Sequence, residues 1–245
     1  MRNFLTIWRR EMAACFLSPV AYVTFVAFLA ASAATFMVAV LRNAGETVVL
    51  SNLLFDALVV WLPILLTVVS MRLFAEEKRS GTIEMMMTAP VREREIVFGK
   101  YAGAFTFVLA VLLPAACSIF LLDAMCPGIT RRDVDLGAIL GGGLILVLVS
   151  AFLLAMGLLI SLTSRNQIAA AISTLSLIWF VLMAGWLMSL VPGSSRHVTD
   201  YFSVTRHVTD FSQGMVDLRP VILYLSGTGF LLFVAVRLLE SDRWK

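Results

Sequence analysis

The densest concentration of chemically capable side chains lies in residues 75–100, where Glu76, Glu77, Lys78, Arg79, Glu84, Arg92, Glu93, Arg94, Glu95 and Lys100 crowd between long apolar runs. Such a segment suits exchange with a soluble partner. No Ser, His and Asp set and no paired carboxylate lies inside an apolar run, as intramembrane hydrolysis would need. Within the segment the residues follow a local order. Gly81 suits a helix end, Thr82 can cap a new helix, and Glu84 sits in its first turn, where the helix dipole favours an anion. Pro90 then limits that helix to about two turns. Its Met85, Met86 and Met87 give an adaptable surface, suited either to docking in a groove on another protein or to resting on lipid.

Other candidates carry less. His197 with Asp200 and His207 with Asp210 have a three-residue spacing that places each pair on one helix face, but Arg196 and Arg206 beside them oppose a cation. No metal site is therefore assigned. Asp56, near the start of an apolar run, fits headgroup depth better than a buried role. Cys15, Cys117 and Cys126 lack metal-ligand spacing and read as packing residues. Gly137, Gly141, Gly142 and Gly143 precede no Lys-Ser or Lys-Thr, so they form no phosphate loop. The four-residue spacing of Gly137 and Gly141 instead lets another helix approach closely.

The elements that must hold these residues follow from composition. The 245 residues are 60% hydrophobic and 14% charged, with a mean hydropathy of +0.93, far from the soluble norm. This predicts an all-α integral membrane protein in contact with the lipid bilayer, and the absence of a basic run excludes nucleic acid as a partner. Six spans are expected, at about residues 20–41, 53–73, 101–122, 136–164, 168–191 and 220–236, within one transmembrane domain covering residues 1–245. Before them, Phe4, Trp8, Met12, Cys15 and Phe16 recur at helical spacing, with Arg2, Arg9, Arg10 and Glu11 mostly off that stripe. Residues 3–17 therefore read as a helix lying among lipid headgroups. Arg9, Arg10 and Glu11 also argue against a cleavable signal.

The connector at residues 194–219 repeats Arg196-His197-Val198-Thr199-Asp200 as Arg206-His207-Val208-Thr209-Asp210. Its Val204, Val208, Phe211 and Met215 mark an amphipathic helix. Lysines and arginines concentrate in the amino end, residues 75–100, the Arg165 turn and the tail, which predicts that both termini and residues 75–100 are cytoplasmic.

Two acidic residues, a Lys, Gly81-Thr82, a mixed acidic and apolar tract, Thr88-Ala89-Pro90 and a charged patch leading to Gly99-Lys100-Tyr101 together resemble the cytoplasmic loop of type-2 ABC exporter permeases. The likeness extends to the amphipathic amino-terminal helix, the six spans, the polar segment before the last span and a basic tail with Trp244. Within that superfamily the chain looks most like the small permeases of bacterial gliding motility and their multi-drug or copper-processing relatives. The resemblance implies the fold of that family and a bacterial inner-membrane location.

It also implies a second permease copy, identical or related, and a separate ATPase subunit that binds ATP and Mg. No cofactor is expected in this chain, which lacks a Gly-x-x-x-x-Gly-Lys motif. By the same resemblance, Glu76, Glu77, Gly81, Thr82, Glu84, Met86, Thr88 and Pro90 form the ATPase-coupling segment. The first and fifth spans, with the small residues Ala30, Ala34, Ala170 and Ser173, would meet the second permease. The expected function is export of a hydrophobic or amphipathic substrate, or work on periplasmic or envelope proteins. The alternative is a scaffold that anchors an ATPase or envelope machine without a transported substrate.

Overall fold

A long apolar run can satisfy its backbone in a bilayer by closing every hydrogen bond within a helix. The structure, a computed structural model, describes residues 2–43, 50–81, 92–120, 136–164, 166–190 and 201–242. Their helices are α1 (Arg2–Leu17), α2 (Pro19–Arg42), α3 (Leu50–Ser70), α4 (Ala75–Ser80), α5 (Glu93–Ala116), α6 (Leu136–Thr163), α7 (Gln167–Ser189), α8 (Val204–Ser212) and α9 (Leu218–Asp242). Six helical stretches are long and apolar enough to cross a membrane: Pro19–Arg42, Leu50–Ser80, Glu93–Phe120, Leu136–Thr163, Gln167–Met188 and Leu218–Ser241. The described residues thus form an all-α, six-span bundle.

Local chemistry sets several helix ends. Pro19 opens α2, where its missing N–H costs no helical bond. Asn166 Oδ1 accepts from the Ile168 N–H at 3.1 Å to start α7, and Ser203 Oγ accepts from the Arg206 N–H at 3.3 Å to start α8. The helix of the third span begins at Glu93, so the charges at residues 93–100 occupy its first two turns.

Packing makes α3 the central helix. Of its most apolar window 67% is buried, against 17% for α2, and it touches α2, α5, α6, α7 and α8. Phe55, Leu58, Leu62, Leu65 and Leu66 are its innermost side chains. Asp56 is exposed and shares an outward stripe with Val60 and Ile64.

The most extensive helix pair is α1 with α5. They run in the same direction: Asn3 meets Glu95, Ile7 meets Gly99, Glu11 meets Gly103, and Phe16 meets Phe107 with ring centroids 5.3 Å apart. The course of α1 is thus set by a partner helix. Near the start of α5, Arg94 and Phe98 share a hollow with Arg237 and Glu240 of α9. Both ends of the described chain therefore lie at the same end of the bundle, here termed the charged end.

Candidate functional site

Two glycines one helical turn apart, Gly99 and Gly103, make the site possible. A Cβ on Gly99 would stand 2.8 Å from Ile7 Cγ2, and one on Gly103 would stand 2.7 Å from Glu11 Cβ. Their bare backbone therefore lets α1 seat against α5. Trp8 Nε1 donates to Thr106 Oγ1 at 3.2 Å across the same seam. With α1 in place, Glu11 faces inward, one turn from Ile7 and one from Cys15.

Lys100 follows Gly99 and turns its ammonium into the junction of α1, α4 and α5. Only 1% of its side chain is exposed. Its Nζ donates to Glu77 Oε1 at 2.8 Å and to Glu11 Oε1 at 3.1 Å, and lies 5.2 Å from the centre of the Phe74 ring. Arg10 Nη2 donates to the same two oxygens, at 2.8 Å to Glu11 and 3.2 Å to Glu77. Two cations and two carboxylates thus alternate in a closed ring. A buried ammonium without such partners would be prohibitively costly; with two it is neutralised in place. The hydrogen bond to Glu11 holds the Arg10 pKa above its usual value, partial burial opposes it, and Glu77 adds to it. Burial, reinforced by Glu11, pushes the Cys15 thiol up to about 11, so at neutral pH it is a protonated packing group.

The short helix α4 connects this ring to the bundle. The Phe74 and Ala75 N–H groups both donate to Ser161 Oγ of α6 at 3.1 Å, and Lys78 Nζ donates to the Leu162 carbonyl. Gly81 then ends α4 with φ +72°, a left-handed conformation that a side chain would strain. On the other side of residues 82–91, Glu95 Oε2 accepts from the Arg92 N–H and from Asn3 Nδ2, both at 3.3 Å. Each stem of that segment is therefore fastened to α1, one through Glu77 and Arg10, the other through Glu95 and Asn3.

Of the residues expected to couple to an ATPase, Glu77 sits in the ring, Glu76 is exposed beside it, and Gly81 ends α4. Thr82, Glu84, Met86, Thr88 and Pro90 lie outside the described residues. Ala30, Ala34 and Ser173 are exposed on α2 and α7. Ala170 is not: it is fully buried within its own bundle, where its small size serves internal packing. Sequence reasoning placed Glu11 off the apolar stripe of a helix among headgroups and gave Lys100 no partner. The Gly99-x-x-x-Gly103 spacing was the signal that a helix seats there.

At the opposite end, here termed the neutral end, the contacts that hold α8 join uncharged groups. Ser51 Oγ of α3 donates to the Ser212 carbonyl of α8 at 2.7 Å, and Ser212 Oγ donates to Asn52 Oδ1. A Cβ on Gly141 would meet the Phe211 carbonyl at 2.5 Å, so this glycine admits α8, while neighbouring Gly142 admits the Phe55 ring. Val204, Val208 and Phe211 form the buried face of α8, but Met215 falls beyond the helix and is exposed. His207 is buried, with Nδ1 2.9 Å from the Tyr224 hydroxyl, and burial lowers its pKa against the opposing pull of Asp210 and Asp217. Among the described residues no group of His, Cys, Asp and Glu is arranged to hold a metal, and His197 lies outside them.

The six spans and the ionic ring at one end define a multi-pass membrane protein with a polar junction between helices. The chain belongs to the ABC-2 family transporter proteins, whose family profile matches residues 8–195 and so covers the whole ionic ring. Membership makes it a membrane transport protein and implies association with an ABC ATPase. A search of curated protein sequences gives no significant match.

Proposed function

We propose that the chain is a permease subunit of a type-2 ABC exporter, and that the charged end receives work from a separate ATPase holding ATP and Mg. In this reading the charged end is cytoplasmic, both termini face the cytoplasm, and the membrane is the bacterial inner membrane. Residues 82–89 form the coupling helix, and a second permease copy completes the pathway for a hydrophobic or amphipathic substrate. Work on a periplasmic or envelope protein is the other output of the same device, as in the gliding-motility relatives it resembles.

The observation that carries the reading is the double fastening of residues 82–91. A displacement of that segment reaches α3 through α4, α5 through Arg92, and α1 through both stems. Because Ser161 and Leu162 of α6 also hold α4, the push is delivered to the bundle as a unit. Glu84→Lys and Met86→Pro should each uncouple ATP turnover from transport in liposomes containing the ATPase, while membrane insertion stays intact. Unchanged coupling and unchanged ATPase capture in both variants would remove the assignment. ATP turnover stimulated only by a periplasmic protein would favour the scaffold reading.

A further inference from the structure

A cavity of about 460 Å³ lies beside the ionic ring, between α1, α2 and α3. Its upper wall is mostly apolar, formed by Val20, Val68, Val69 and Phe107 with Thr24, and its base is charged. The base contains three cations, Arg10, Arg72 and Lys100, and three carboxylates, Glu11, Glu76 and Glu77. Four of these six neutralise one another in the ring. The remaining two do not pair. Arg72 donates Nη1 to Ser18 Oγ at 2.7 Å and contacts no carboxylate among the described residues, and its Nε is buried without a hydrogen-bond partner. Glu76, one turn further on, has no side-chain partner among the described residues and is exposed at the rim. Val20, itself exposed, forms the lip of the cavity on α2, the least buried of the six spans.

A cavity with one unpaired cation, one unpaired anion and an apolar wall, opening at the start of α2, is complementary to a molecule carrying both charges and a tail. We propose that it binds a zwitterionic aminophospholipid from the leaflet at the charged end. The phosphate takes the forked donors of Arg72, the geometry for which a guanidinium is suited. The primary ammonium donates to Glu76, and an acyl chain lies along Val20, Thr24, Val68 and Val69. An anionic headgroup would leave Glu76 opposed, and a quaternary ammonium has no N–H to give it. Lipid retention by the isolated chain is independent of the ATPase coupling proposed above.

The test is native mass spectrometry of the purified full chain, delipidated and offered equal amounts of phosphatidylethanolamine, phosphatidylcholine and phosphatidylglycerol. The wild type should retain phosphatidylethanolamine preferentially. Arg72→Gln should lower retention of all three by about tenfold, the factor carried by one charge-assisted hydrogen bond. Glu76→Gln, at an exposed position that folding does not depend on, should abolish the preference for phosphatidylethanolamine and raise phosphatidylglycerol retention. Arg237→Gln, distant from the cavity, should change nothing. Equal retention of the three lipids by the wild type, or a preference that survives Glu76→Gln, would overturn the proposal. Displacement of the lipid by an equal concentration of glycerophosphoethanolamine would assign the site to a soluble headgroup and overturn it as well.

Discussion

The two ends of the bundle solve the same problem, docking a short helix against a span, with different chemistry. At the charged end α1 and α4 are held by an ionic ring around a buried ammonium. At the other end α8 is held by hydroxyl, amide and imidazole hydrogen bonds. Both rely on glycine to bring backbones together, Gly99 and Gly103 in one case and Gly141 in the other. The difference lies in what happens when a partner moves. Neutral hydrogen bonds lose strength within a few tenths of an ångström and fix one geometry. Charges interact over longer distances and can exchange partners, and each oxygen in the ring already accepts from two cations. A given displacement would therefore cost the charged end less in lost contacts than the neutral end.

The comparison can be broken most forcefully at Lys100. Lys100→Met leaves Glu11 and Glu77 facing each other without the buried ammonium between them. Loss of one member of a buried ionic cluster should cost about 3 kcal/mol. Thermal unfolding in detergent should show it, and limited proteolysis should release α1. A second Glu77→Gln substitution should recover part of that loss by removing one stranded charge. Were Lys100→Met as stable as the wild type, the ring would not be what holds α1.

A smaller effect sharpens the contrast at the neutral end. Burial lowers the His207 pKa, so the unfolded chain binds a proton there more readily than the folded one. Stability is therefore highest when His207 is neutral and declines as pH falls below 6.5, the ordinary value for this side chain. The slope for one proton cannot exceed about 1.4 kcal/mol per pH unit. Melting temperatures of the wild type and His207→Gln measured from pH 7.5 down to 5 should converge, since the variant lacks that proton; parallel curves would exclude the effect. The smallest change is expected at Arg237, paired with Glu240 at 2.8 Å but 59% exposed. Arg237→Ala should alter stability by no more than about 0.5 kcal/mol, which separates the ring from ordinary surface ion pairs.

Much of this organisation was legible in the chain itself. Uninterrupted apolar runs fix the six spans because a bilayer leaves their backbone no other arrangement. The helical spacing of Phe4, Trp8, Met12 and Cys15 marked the face that α1 half-buries, and Gly81 does end a helix with positive φ. The burial of Val204, Val208 and Phe211 was equally visible in their spacing. These are properties of a few consecutive residues, so local periodicity and backbone sterics suffice to read them.

What could not be read is which charge meets which. Glu11 and Lys100 are 89 positions apart and Ser18 and Arg72 are 54 apart, and nothing in either neighbourhood names the other. The burial of Ala170, against its expected place on the surface, has the same origin: a small residue in an apolar helix suits an internal contact as well as an external one. Sequence determined that helices form, where they stop and which residues have charges to offer. The tertiary structure decided which face of each helix turns toward which neighbour. That choice depends on shape fitting between distant segments, and in this chain on two glycines bare enough to let α1 approach and bring Glu11 to Lys100.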